Sequence, residues 1–371
     1  MMESVFPFGV PGATLLYLML YVLTLAVHFV FMNYVFAGTF YVAIVGLGRA
    51  DDALARQHNP IAAMLRDWLP FAFSGVITAG VAPLLFVQIL YKQQFYTANL
   101  LLFYRWMAVV PALIVAFYLL YLLKSRSISD WPAGWRVAVG VGALAAIGFV
   151  GYSWSENHLL SLDEQRWVPF FAARQWFYRH SALMPRLLMW LAGSVPTMMM
   201  IVCWQLRSAE RRGLKVSSSE VRIACVWALV GLGLAALFGT MQYLRLDPAT
   251  RGAFGDRASA PYVVAALVGV VLQGAAWLGL WRGARLSRGC LFLASAGAVL
   301  SILGICMVRE AERFARIDVA ALYENHAAAA ENGGRPLFLL FFVVNAAIIA
   351  WCVLAVRRDL KLDRAASPGA E

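Results

Sequence analysis

His28 is the side chain whose chemistry stands out. It lies near the middle of residues 13–48, ATLLYLMLYVLTLAVHFVFMNYVFAGTFYVAIVGLG, a run with no Asp, Glu, Lys or Arg. A helix needs only about 20 apolar residues to cross a hydrocarbon core, and a polar side chain at such depth is costly unless it is satisfied or used. Two readings stand level on spacing alone: an imidazole bonded to a neighbouring helix, or a ligand role. Near the other end of the chain, MVREAERFARI places Glu310 and Arg313 three residues apart. By residue type alone this is an i,i+3 ion pair at a helix end, worth a few tenths of a kcal/mol. Met189 stands in RLLMWLAGSVPTMMMIVCW, where nearby Met198, Met199 and Met200 point to packing rather than coordination.

Other chemistries are excluded or unsupported. The cysteines Cys203, Cys225, Cys290, Cys306 and Cys352 form neither C-x-x-C nor C-x-x-C-H, which argues against covalent c-type haem and iron–sulfur clusters. There is no Walker A loop and no dinucleotide-binding glycine pattern, so no nucleotide site is argued. The remaining histidines, His58, His158, His180 and His326, are expected in loops.

The elements that must position these residues are membrane spans. The chain is 62% hydrophobic and 14% charged, where soluble domains carry roughly 25% charged residues. The net charge of +11 does not point to nucleic acid, because the basic residues sit in short loops between apolar runs. No cleavable signal is expected at the N-terminus. Apolar runs between charges predict an all-α integral membrane protein of about nine spans: 13–46, 69–91, 101–123, 136–153, 186–206, 222–243, 260–281, 289–308 and 336–356. The first is expected as one long or tilted helix. Residues 1–357 form a single transmembrane domain in this reading, and 358–371 a polar, disordered cytoplasmic tail.

Basic residues recur on alternate loops: Arg49, Arg56 and Arg66; Lys124, Arg126 and Arg136; Arg207, Arg211, Arg212, Lys215 and Arg222; Arg282, Arg285 and Arg288; then Arg357, Arg358, Lys361 and Arg364. Such loops stay cytoplasmic, which predicts an outer N-terminus and a cytoplasmic C-terminus. The outer connections mix signs, with Arg309, Glu310, Glu312 and Arg313 among them. Within the outer segment 155–186, WVPFFAARQWFYRHSALMPR interleaves aromatics with Arg174, Arg179 and His180, as an interfacial helix does. A short outer helix is expected near 318–335.

The order of these motifs resembles subunit I of the cytochrome bd quinol oxidases. His28-Phe29-Val30-Phe31, followed by Ala37-Gly38 and Phe40, is similar to that family's first helix, where the matching His is a haem ligand. PFAFSGVITAGVAPLLFVQILY resembles its Gly-rich second helix, with Gln88 near the outer end. Met189 stands at the place of the low-spin haem's histidine. Glu310 and Arg313 keep the spacing of an acidic haem ligand and its arginine. The resemblance implies His28, Glu310, Arg313 and Met189 as cofactor-binding residues, His28 and Glu310 as iron ligands, and haem b and quinone as cofactors.

The departures are as specific. The Gly-Arg-Gln-Pro-Trp run after the eighth helix is missing, the third helix has no carboxylate, and the seventh, APYVVAALVGVVLQGAAWLGLW, has no Met. The quinol-binding loop between helices six and seven shrinks to roughly 245–260. The expectation is therefore a membrane subunit of a bacterial inner-membrane respiratory complex. It handles haem b or quinol, exchanges electrons with a periplasmic c-type cytochrome, contacts lipid and other respiratory subunits, and does not reduce oxygen alone. The alternative is a haem-free structural or transport protein on the same scaffold, although no inverted repeat or paired broken helices argue for transport.

Overall fold

The computed structural model describes residues 10–46, 59–125, 128, 130–211, 213, 215–331 and 334–366. Among these there are helices and no strands. In chain order they are α1 (Gly12–Tyr41, continued by a π-helical turn Val42–Gly46), α2 (Pro60–Leu90), α3 (Lys92–Leu101), α4 (Phe103–Met107), α5 (Val109–Lys124), α6 (Ala133–Ser161) and α7 (Glu164–Ala172). Then follow α8 (Leu183–Glu210), α9 (Ser218–Arg245), α10 (Pro248–Gly255), α11 (Ala260–Gly283), α12 (Arg288–Phe314), α13 (Val319–Glu331) and α14 (Gly334–Ala366).

Eight helical stretches among the described residues are long and apolar enough to cross a membrane, and α13 with α14, bent by 78°, makes a ninth if counted as one span. The chain is a multi-pass, all-α membrane protein. The first run is one helix, as its uninterrupted apolar sequence predicts. Several spans outrun their apolar cores, because charged and polar residues remain helical where neighbours satisfy them. Thus α6 continues to Ser161 and α12 to Phe314, so Glu156, His158, Arg309, Glu310, Glu312 and Arg313 lie inside helices and not in connections. The short helix expected near 318–335 is α13, and α14 runs on to Ala366 where a disordered tail is expected from sequence. His58 and 367–371 lie outside the described residues.

Local sequence sets the ends. Asn59 caps α2 by accepting from the Ala62 N–H at 3.0 Å, with Pro60 at the first helical position. Ser217 and Glu220 form a reciprocal capping box on α9.

The helices pack largely as sequential pairs: α1 on α2, α5 on α6, α8 on α9 and α11 on α12, with α1 also touching α6, α8, α12 and α13. The uncharged first helix is thus central to the bundle. Apolar burial does not separate helices from lipid, so close approach falls to small residues. At Gly304 a Cβ would stand 2.7 Å from the Ala266 nitrogen, which lets α11 and α12 meet backbone to backbone. The proximal end of the bundle, where α1 begins and α2 finishes, also carries α3, α4, α7, α10 and α13. Lys124, Arg207 and Arg282 fall at the opposite, distal end, where Lys124 donates to the Asp67 carbonyl at 2.8 Å.

Candidate functional site

His28 is partly buried and packs between α1 and α2. Its Nδ1 lies 3.1 Å from the Val76 carbonyl oxygen. A carbonyl only accepts, so Nδ1 carries the proton and Nε2 the lone pair. Among the described residues Nε2 has no hydrogen-bond partner. The ring sits where Gly80 lacks a side chain: a Cβ there would stand 3.0 Å from Cε1 and 3.1 Å from Nδ1. A histidine oriented through one nitrogen by a carbonyl, with the other left as a lone pair, is arranged as metal-ligating histidines are. Beside it, Phe29 meets Trp190 of α8 edge-on at 5.5 Å.

One to two turns nearer the proximal end lies a buried ionic network. Glu310 is fully buried and accepts from the Tyr91 hydroxyl at 2.6 Å. Arg313 donates to both Glu310 oxygens, at 2.9 and 3.1 Å, and to the Tyr21 hydroxyl at 3.1 Å. Its guanidinium also stands 4.4 Å from the centre of the Tyr91 ring. The Glu310–Arg313 pair is therefore far from the solvated helix-end pair that its residue types alone suggest. Arg313 further donates to His158 Nδ1 at 3.1 Å. A guanidinium only donates, so the His158 proton sits on Nε2, 3.7 Å from Glu312. Glu312 is in turn paired with Arg186 of α8. Glu156 takes Arg105 and the Tyr178 backbone N–H, both at 2.7 Å.

The sequence-expected residues therefore separate into three places. His28 is alone on the α1–α2 contact. Glu310 and Arg313 belong to the network, with both carboxylate oxygens engaged, so iron ligation by Glu310 needs Tyr91 or Arg313 to let go. Met189 faces α9, where a Cβ at Gly239 would meet its sulfur at 3.3 Å. A haem would find one candidate ligand among them, the His28 Nε2 lone pair, while Met189 packs as a gap-filler. No group of three or more His, Cys, Asp or Glu converges as a metal-ion site among the described residues.

His158 and His326 correct the expectation that they lie in loops. His158 is on α6 and His326 on α13, both buried. His326 accepts from the Thr14 hydroxyl at 2.8 Å and donates to the Leu90 carbonyl at 2.9 Å, tying α13 across the ends of α1 and α2. The available signal was spacing: Glu156 and His158 follow the apolar run of α6 without a Gly or Pro, so the helix has no reason to stop before them.

The connection after α6 is helical over Glu164–Ala172, with Val168 and Phe171 exposed and Phe170 buried, an amphipathic pattern suited to an interface. Burial pushes the Tyr178 hydroxyl up, aided by Asp163, to which it donates at 2.6 Å. Burial also holds His180 below the ordinary imidazole value. On α10, Asp247 receives Arg316 at 2.6 Å. No family model, no curated protein and no solved structure matches the chain.

Proposed function

We propose that the chain is a membrane subunit of a bacterial respiratory electron-transfer complex, similar to subunit I of the cytochrome bd quinol oxidases. It would hold haem b at His28, meet quinol, and exchange electrons with a c-type cytochrome. The observation that carries this reading is the His28 imidazole, fixed by Val76 at one nitrogen, unpartnered at the other, and given room by Gly80. When bound, haem b supplies a one-electron couple. The chain's own residues set the geometry: Val76 holds the tautomer and ring plane, and Phe29 and Trp190 supply an apolar wall. The ionic network neutralises its own charges rather than relaying protons along α5, which has no carboxylate. Oxygen reduction by this chain alone is not part of the proposal.

Orientation follows from charge. The connections at the distal end carry Arg66, Lys124, Arg207, Arg282 and Arg285 with few acidic residues, and the positive-inside rule supports a cytoplasmic distal end. The proximal end, with exposed Phe171, Trp176 and Phe177, then faces the periplasm and is where a cytochrome partner docks.

A haem-free scaffold is the second reading, and Glu310 favours it: its oxygens are satisfied by Tyr91 and Arg313 with no ligand needed. Electron transfer separates the two. Purified protein reduced with a quinol and mixed with a soluble c-type cytochrome should reduce it in a His28-dependent manner. Equal rates with wild type and His28→Ala would remove the proposal.

A further inference from the structure

The buried guanidiniums and carboxylates at the proximal end pair almost completely. Arg105 takes Glu156, Arg186 takes Glu312, and Arg313 takes Glu310. Arg309, half-buried, is left over. It makes no ion pair among the described residues, and its Nε is buried without a hydrogen-bond partner. Its guanidinium stands 6.0 Å from the centre of the Trp190 ring. The same Trp190 ring packs edge to face with Phe29, the residue next to His28.

Depth makes this arginine unusual. It is four residues before Arg313, about 6 Å deeper along α12 at 1.5 Å per residue. An unpaired cation at such a place is costly, and bundles keep one where an anion meets it. The surroundings restrict which anion. The ring nearest the guanidinium is Trp190, backed by Phe29 in an edge contact, so the anion is carried on an apolar body. Glu310 and Glu312, on the same helix, disfavour a doubly charged phosphate. A single carboxylate matches the guanidinium fork.

We infer that Arg309, beside Trp190 and His28, anchors the carboxylate of an apolar ligand, the chemistry shared by a haem propionate and a fatty acid. The haem form of the site rests on the function proposed above, and the fatty-acid form does not. Arg313, by contrast, is committed to Glu310, Tyr21 and His158 and has no fork left for a ligand.

The test uses the full chain in phosphatidylcholine nanodiscs, with hemin and oleate as probes and Arg309→Gln and Arg309→Lys as variants. Affinity is read by quenching of tryptophan fluorescence. At least one probe should bind wild type and bind R309Q tenfold or more weakly, with R309K in between. If hemin is that probe, the reduction midpoint of the bound haem should fall in R309Q, because a cation that favours the reduced state is gone. Both variants should keep the wild-type melting temperature, since no ion pair is broken; a merely structural arginine would lower it without touching affinity. Hemin binding wild type and R309Q equally, with oleate likewise indifferent to Arg309, overturns this inference and leaves the haem reading standing. Arg309-dependent binding of oleate with no binding of hemin upholds the anion site and removes the haem reading. Absence of any Arg309-dependent binding overturns the inference.

Discussion

Arg313 and His158 meet at 3.1 Å although 155 residues separate them in the chain. The contact locks α12 to α6 inside the bundle and makes the i,i+3 pair with Glu310 one part of a network. It also fixes the His158 tautomer, because a guanidinium can only donate. The network's strength at Glu310 and Arg313 lies in pairing: a buried charge whose partner is removed costs far more than the pair contributes.

Glu310→Gln or Arg313→Gln alone is expected to destabilise the fold by about 3–5 kcal/mol, the cost of a stranded buried charge. The double variant should recover much of that loss. Thermal unfolding in detergent reads both, and single variants as stable as wild type would place the pair in solvent.

Gly80→Val is expected to push the His28 ring off Val76, since even a Cβ would stand 3.0 Å from Cε1. Any cofactor held by His28 should then bind weakly, while Gly148→Ala, where a Cβ meets nothing within 4 Å, should have no effect. Cofactor occupancy after purification gives the answer.

Met189→Leu should change neither occupancy nor spectrum, because the thioether packs on Gly239. A spectral change in this variant would restore Met189 as a ligand.

The Arg316–Asp247 contact predicts a pH dependence confined to the proximal surface. Partial burial raises the Asp247 value, but the Thr250 backbone and hydroxyl bonds and Arg316 outweigh it, so the carboxyl sits below its ordinary 3.8. A depressed folded value means the stabilisation is present above the unfolded value and lost as pH falls through the folded one. Protection of the Pro248–Gly255 amides, relative to their intrinsic exchange at each pH, should be constant from neutral pH down to about 5 and fall only below 3.8. Asp247→Asn should lower this protection above 3.8, and the difference from wild type should vanish as pH falls through the folded value.

Much of the fold was legible because a bilayer leaves few choices. A long run without charges must be a helix, and α1 emerged as one. The ends were less legible, since hydropathy ends a span at the first charges whereas the chain ends it where backbone bonds can no longer be met. Glu156 and His158 on α6, and Glu310, Glu312 and Arg313 on α12, stay helical because partners on other helices meet them, and no single segment reveals that. His28 was readable as a polar residue at depth. Its Val76 bond and the Gly80 gap, which decide how the ring is held, come from a second helix.

Orientation is open to a direct assay. A reporter fused after Arg364 should be active in the cytoplasm; activity only in the periplasm would invert the bundle and put the proximal network on the wrong side for a periplasmic partner.

The central claim is that His28 holds a haem. The most direct measurement is a reduced-minus-oxidised optical spectrum of the purified full chain, beside His28→Ala. The account predicts a b-type haem signal in the wild type that is lost in the variant while the melting temperature is retained. A colourless wild-type protein, or a signal of equal size in both, would contradict it.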